Sequence, residues 1–118
     1  MMNKLTIKRW EVYRVAFGEP KDAEIKKVRP CLVLPNNWLN EFNSRVIIIP
    51  LTSQPVPFAF FHLKANFMNK EATFLPEQIH SISKKRVKGY LGEVSKEIIK
   101  QICELLNIIC ELEENYES

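Results

Sequence analysis

No apolar run in this chain approaches the roughly 20 residues that a helix needs to cross a bilayer. Residues 1–14 carry too much charge for a signal peptide. The three cysteines, Cys31, Cys103 and Cys110, form neither a CxxC pair nor a Cys/His set with metal-ligand spacing. An odd number of thiols in apolar sequence surroundings is the pattern of buried, reduced cysteines in a cytoplasmic protein. Internal repeats, low-complexity stretches and linkers are absent as well. What is present is ordinary for a globule: 118 residues, 46% hydrophobic and 26% charged. That length fits one domain, 1–118, able to bury about two-thirds of its unfolded surface without staples.

Charge is unevenly spread. The net charge is +3, yet residues 1–31 hold eight Lys/Arg against four acids, and residues 84–100 hold six against two. Residues 101–118 hold five Glu and no base, an acidic tail that masks a strongly positive body. Two basic segments converging in the fold would make the positive groove expected for a polyanion; kept apart, they are a solvated charged surface.

Residues 10–17 alternate and are β-prone, which predicts a first strand with Trp10, Val12 and Val15 in the core. Gly18-Glu19-Pro20 ends it, and a charged loop runs to Val28. Residues 30–34 and 45–51 are short apolar runs suited to central strands, joined by an Asn-rich turn with Trp38 embedded in it. Pro55 and Pro57 precede a further predicted strand, 58–63, and residues 72–75 and 79–82 supply two more. Ser95 is placed to cap a helix whose residues Ile98, Ile102, Leu105, Ile109 and Leu112 recur at alternating spacings of four and three, with Ile99, Leu106 and Cys110 widening the stripe. The expected fold class is β-rich α+β: a small, strongly curved sheet or partly open barrel closed by one helix.

Two segments carry the functional signal. Arg29 stands at the start of one aliphatic run, and Thr52 at the end of the next. If their strands are antiparallel neighbours, the two side chains meet at one edge of the sheet. Arg offers a planar fork of donors suited to phosphate, and Thr adds a hydroxyl that both donates and accepts. The plainer alternatives are Arg29 as a loop residue paired with Glu24, and Thr52 as a strand end bonded to nearby backbone.

The ordered set Arg29-Pro30, Asn36 with Asn40, Pro50-Leu51-Thr52, Gln78-Ile79-His80-Ser81-Ile82 with Arg86, and a helix from about Ser95 resembles the MazF/PemK toxins, endoribonucleases of bacterial toxin–antitoxin systems. The resemblance spans roughly residues 8–112. Two departures stand out. Trp10-Glu11 replaces the Gly-acid pair usual at the opening of the first strand, and residues 21–27 keep Glu24 but not the loop's glycines and Gln. The resemblance implies an SH3-like barrel with a C-terminal helix, a two-fold homodimer, and metal-independent cleavage of single-stranded RNA, with no cofactor. RNA brings its own nucleophile, the 2′-hydroxyl, so the enzyme need only move protons and stabilise charge on phosphorus. Arg29 would stabilise that charge, Thr52 would bind the phosphate or steer the hydroxyl, and Glu24 or Glu77 would act as base, with the His80 imidazole a further possibility. Lys21, Lys26, Lys27 and Lys85 would hold phosphates, Gln78 and His80 would contact RNA, and Trp38 would stack on an unpaired base. An acidic antitoxin segment would fill the same grooves. His62 reads as an ordinary strand residue.

Two other functions fit the same fold. One is a non-cleaving descendant that binds RNA or a protein partner. The other is a gyrase poison like the CcdB toxins, whose activity resides in a C-terminal Trp-Gly-Ile that the acidic tail here lacks.

Overall fold

The computed structural model describes residues 6–18, 28–34 and 42–111. Seven strands form one curled antiparallel sheet, a half-barrel closed by a helix: β1 Glu11–Ala16, β2 Val28–Val33, β3 Arg45–Thr52, β4 Leu63–Phe67, β5 Lys70–Phe74, β6 His80–Ser83 and β7 Val87–Glu93, followed by α1 Lys96–Cys110. The order across the sheet is β4-β5-β3-β2-β1-β7, and β6 also pairs with β3. The eight-residue β3 is therefore shared. Its first half pairs with β6 through Val46↔Ile82 and its end pairs with β5 through Leu51↔Phe74, while β2 runs along the other edge.

Pleat parity divides the core in two. Cross-strand partners point to the same face, so Tyr13↔Cys31 and Val33↔Ile48 share one face, whereas Val12↔Leu32 and Leu32↔Ile49 share the other. The first face buries Tyr13, Val15, Cys31, Val33, Val46 and Ile48. The second buries Val12, Leu32, Ile49, Leu51 and Phe74 against Ile98 and Ile102 of α1. The Ser95 hydroxyl caps that helix, accepting from the Ile98 N–H at 3.2 Å. Among the described residues no helix is long and apolar enough to cross a membrane.

Several expectations need correction. Arg29 and Thr52 lie within β2 and β3 rather than beside them, because the ladders continue through Val15↔Arg29 and Thr52↔Thr73. Residues 58–62 are not a strand. Pro55 and Pro57 lack the N–H that pairing needs, the His62 N–H closes a turn onto Ala59 O at 3.0 Å, and β4 begins at Leu63. The β4–β5 hairpin turns on Met68-Asn69, both left-handed at φ 56° and 63°, a two-residue geometry usually marked by Asn-Gly. Trp10 is only half-buried and takes φ 69° just before β1. It thus occupies, at a cost of about 1–2 kcal/mol, a backbone conformation that glycine adopts freely.

Of the thiols only Cys31 is buried; Cys103 and Cys110 are exposed on α1, whose buried stripe is confined to Ile98 and Ile102. Burial pushes the Cys31 thiol up to about 12, outweighing the opposite pull of the Arg29 charge. Since the thiolate is the reactive form, iodoacetamide in mildly alkaline buffer should modify Cys103 and Cys110 and spare Cys31 until denaturant is added, as peptide mass spectrometry will show. The unfolded chain, with its thiol near 9, releases that proton first. The fold should accordingly lose stability as pH climbs from about 9 towards 12, a loss that Cys31→Ala reduces.

Candidate functional site

β2 and β3 end side by side. Their register runs Cys31↔Pro50, Leu32↔Ile49, Val33↔Ile48, and just past its last pair Arg29 and Thr52 line one cavity, with Arg29 on the face that carries Cys31. Arg29 is exposed and Thr52 half-buried. Among the described residues the Arg29 guanidinium has no hydrogen-bond or ion-pair partner. The Thr52 Oγ1 accepts from the Gln54 N–H at 3.0 Å, which orients the hydroxyl and leaves its own hydrogen to be donated. A cation and a hydroxyl that line one cavity, just past the end of a buried ladder, have the chemistry to take an anion.

A cavity of about 460 Å³ opens beside the pair. Leu51, Phe67, Ala72 and Leu91 line it from the helix-side face, so Arg29 and Thr52 meet it at the rim, together with Ser53, Gln54 and Lys70. Ser53, Gln54 and Lys70 were not legible as site residues. Gln54 becomes one through its bond to Thr52, and Lys70 through the unsignalled Met68-Asn69 turn.

The remaining candidates fall elsewhere. Glu77 lies on the 3-10 turn Pro76–Gln78, and its Oε2 is 3.0 Å from His62 Nε2. The Gln78 amide reaches the same oxygen at 3.5 Å. His62 is thus no ordinary strand residue but a non-local partner of an acid. Its Nδ1 is buried with no partner among the described residues, a position tolerable for a bare lone pair and costly for an N–H. Nε2 therefore carries the hydrogen and donates to Glu77. His80 pairs with Ile48 across β6 and β3. Its Nδ1 donates to the Gln78 carbonyl at 2.8 Å, and its ring lies 5.7 Å from that of Phe17. Lys85 is exposed beyond β6. None of Glu77, Gln78, His80 and Lys85 lines the cavity beside Arg29. Lys21, Glu24, Lys26, Lys27 and Trp38 lie outside the described residues.

Two charged groups have structural employment instead. Glu11 Oε1 accepts from the Lys8 N–H at 3.0 Å and from the Tyr13 hydroxyl at 2.7 Å. Burial first, and then this bond, hold the Tyr13 phenol well above its usual ionisation range. Arg86 Nη1 donates to Ala16 O and Gly18 O at 3.0 and 2.9 Å, clamping the end of β1. Hydrogen bonds from charged groups are worth about 1.5–3 kcal/mol. Arg86→Ala should lower unfolding stability by that amount, read as a lower urea midpoint at unchanged slope.

Residues 8–110 match the family model described as PemK-like, MazF-like toxin of type II toxin–antitoxin system. The fold is similar to solved structures at low sequence identity. An endoribonuclease from a mycobacterial species, solved with its cognate antitoxin, is 21% identical at a TM-score of 0.74, over 93% of this chain and 98% of that one. MazF in a MazE–MazF complex from Deinococcus radiodurans is 16% identical at 0.78, over 92% and 99%. The Mycobacterium tuberculosis toxin MazF-mt6 is 14% identical at 0.72, over 87% and 98%.

Proposed function

The chain belongs to the PemK-like, MazF-like family of type II toxins, and on that footing we propose that it is an endoribonuclease that cuts single-stranded RNA without a metal ion. The observation that carries this reading is Arg29 and Thr52 on one cavity just past the β2–β3 ladder, a cation and a hydroxyl from neighbouring strands. In the proposed reaction the 2′-hydroxyl attacks the adjacent phosphorus. Its proton passes to a carboxylate, the 2′-O–P bond forms, the P–O5′ bond breaks, and the leaving 5′-oxygen is protonated. The Arg29 fork binds two phosphate oxygens and stabilises the charge that builds on them. Its position at the phosphate also lets it serve as the acid. Thr52 donates to the same phosphate or steers the 2′-hydroxyl. Glu24 and Glu77 are the candidate bases. Glu77 stands on the far side of β3 from β2, already engaged by His62. Lys21, Lys26, Lys27 and Lys85, now joined by Lys70, hold backbone phosphates, while Gln78, His80 and Trp38 contact bases.

The decisive experiment incubates the purified protein with a long unstructured RNA in EDTA and maps the ends. Cuts should leave 2′,3′-cyclic phosphate and 5′-hydroxyl. Arg29→Ala should lower the rate about 10²–10³-fold, as loss of a preorganised donor does. Arg29→Lys should rescue little, because a point charge cannot replace the bidentate fork, and Thr52→Ala should cost less than Arg29→Ala. An absolute need for Mg²⁺, 5′-phosphate products, or wild-type turnover by Arg29→Ala would overturn the assignment.

We also propose a cytoplasmic homodimer held in check by an acidic antitoxin. A barrel this small offers little concave surface, and a two-fold interface lengthens the groove. The mycobacterial endoribonuclease was solved with its cognate antitoxin and the Deinococcus MazF with MazE. The basic residues that draw RNA would draw carboxylates equally, so inhibition is competition and weakens as salt rises. Light scattering at micromolar concentration should give twice the chain mass. A strictly monomeric active enzyme would refute the dimer.

A further inference from the structure

The pleat carries the Arg29–Thr52 pair further across the sheet. Thr52 is the direct partner of Thr73 on β5, and Thr73 is the direct partner of Lys64 on β4. Direct partners share a face, so Thr52, Thr73 and Lys64 form one row over three strands, about 10 Å long at the usual strand spacing, with Arg29 on the cavity at its Thr52 end. That is several times the rise of about 3.4 Å per nucleotide in a stacked strand. The far end of the row enters a second cavity, about 270 Å³, lined by Val56, Pro57, Phe58, His62, Lys64 and Thr73. This volume falls just below the range of about 300–1,000 Å³ typical of small-molecule sites, room for one planar heterocycle.

Phe58 stands at the mouth of this cavity with 92% of its surface exposed, and Phe60 close by in sequence is 69% exposed. An apolar ring so open contributes little to the core and is accessible to a ligand. The loop that bears it is tied at both ends. It leaves β3 at Thr52, whose hydroxyl holds the Gln54 N–H, and it returns at His62, whose Nε2 holds Glu77. Phe60, Phe61 and His62 stack edge to face in sequence, at 5.2 and 4.9 Å.

We propose that this cavity is a base subsite: an unpaired nucleobase beside the scissile phosphate stacks on Phe58, and Lys64 holds the phosphate attached to it. The proposal rests on the ribonuclease reading above. An RNA strand suits this end of the sheet better than an apolar peptide, because the exposed Lys64 cation lines the same cavity as the exposed ring. Pro55 and Pro57 restrict the loop, so the ring is presented at little further cost in order.

The test is clean because Phe58 lies outside the core, and Phe58→Ala keeps every buried contact. Binding is measured by fluorescence anisotropy to short mixed-sequence RNA, labelled and uniformly 2′-O-methylated so that it cannot be cut. Base–aromatic stacking predicts that Phe58→Ala weakens binding about 5- to 150-fold. Phe58→Trp should bind as wild type, and its added indole fluorescence should be quenched by RNA. Lys64→Ala should weaken binding and lower the salt slope by about one. On cleavable RNA, KM should rise in Phe58→Ala while kcat changes little. Wild-type affinity and KM in Phe58→Ala, with Arg29-dependent cleavage intact, would overturn the subsite alone. Failure of the wild-type protein to bind or cut RNA would overturn the ribonuclease reading and the subsite with it. A changed oligomeric state in Phe58→Ala at unchanged RNA affinity would assign the ring to a protein contact, also against the proposal.

Discussion

The pairing of β2 with β3 is the constraint on which the rest depends. Both strands are buried on two faces where they meet, with Cys31, Leu32, Val33, Ile48 and Ile49 fully inaccessible. A slip of one residue would exchange the two faces and carry each side chain into the wrong half of the core. Register is therefore held by hydrophobic burial on both sides at once. Arg29 and Thr52 lie just past the last pair of that ladder and line one cavity, so an apolar constraint sets the strands that carry a polar pair. No hydrogen bond between the two side chains is needed to keep them together.

β3 extends that control to a second neighbour. Because its end also pairs with β5, the position of Thr52 fixes Thr73 and, through β4, Lys64. The sheet thus lays out chemistry in a line, with strand order rather than sequence distance deciding which residues are adjacent. Thr52 and Lys64 belong to one row only because β5, later in the chain than both, lies between their strands.

The central part of this arrangement was legible in the sequence. Aliphatic runs bounded by Arg-Pro and by Pro-Leu-Thr mark strands that surface at a defined residue, and the order of motifs points to the family. Other parts were not legible, for identifiable reasons. The β4–β5 hairpin hides behind a Met-Asn turn, in which two non-glycine residues take left-handed backbone. β7 contains Gly89 and Gly92 and shows little aliphatic alternation. The aromatic run 58–62 has strand propensity, but the turn closed by the His62 N–H onto Ala59 O and the preceding prolines keep it out of the sheet. Trp10 takes a left-handed backbone conformation that glycine adopts freely, so its side chain there is accompanied by local strain, which the apolar pattern of residues 10–17 does not signal. Cys103 and Cys110 look apolar by neighbourhood but fall on the outer side of α1, a distinction of helical phase.

The proline-flanked loop between β3 and β4 has an evolutionary consequence. Its most prominent side chain is almost wholly outside the core, while the strands on either side are locked by ladders that do not involve it. Mutational drift at Phe58 is therefore nearly free of a folding penalty, whereas drift at Arg29 or Thr52 alters residues set by the central register. Lineages descended from such a scaffold can change what the loop touches rapidly and keep the sheet unchanged, with divergence concentrated at one rim of an otherwise conservative architecture.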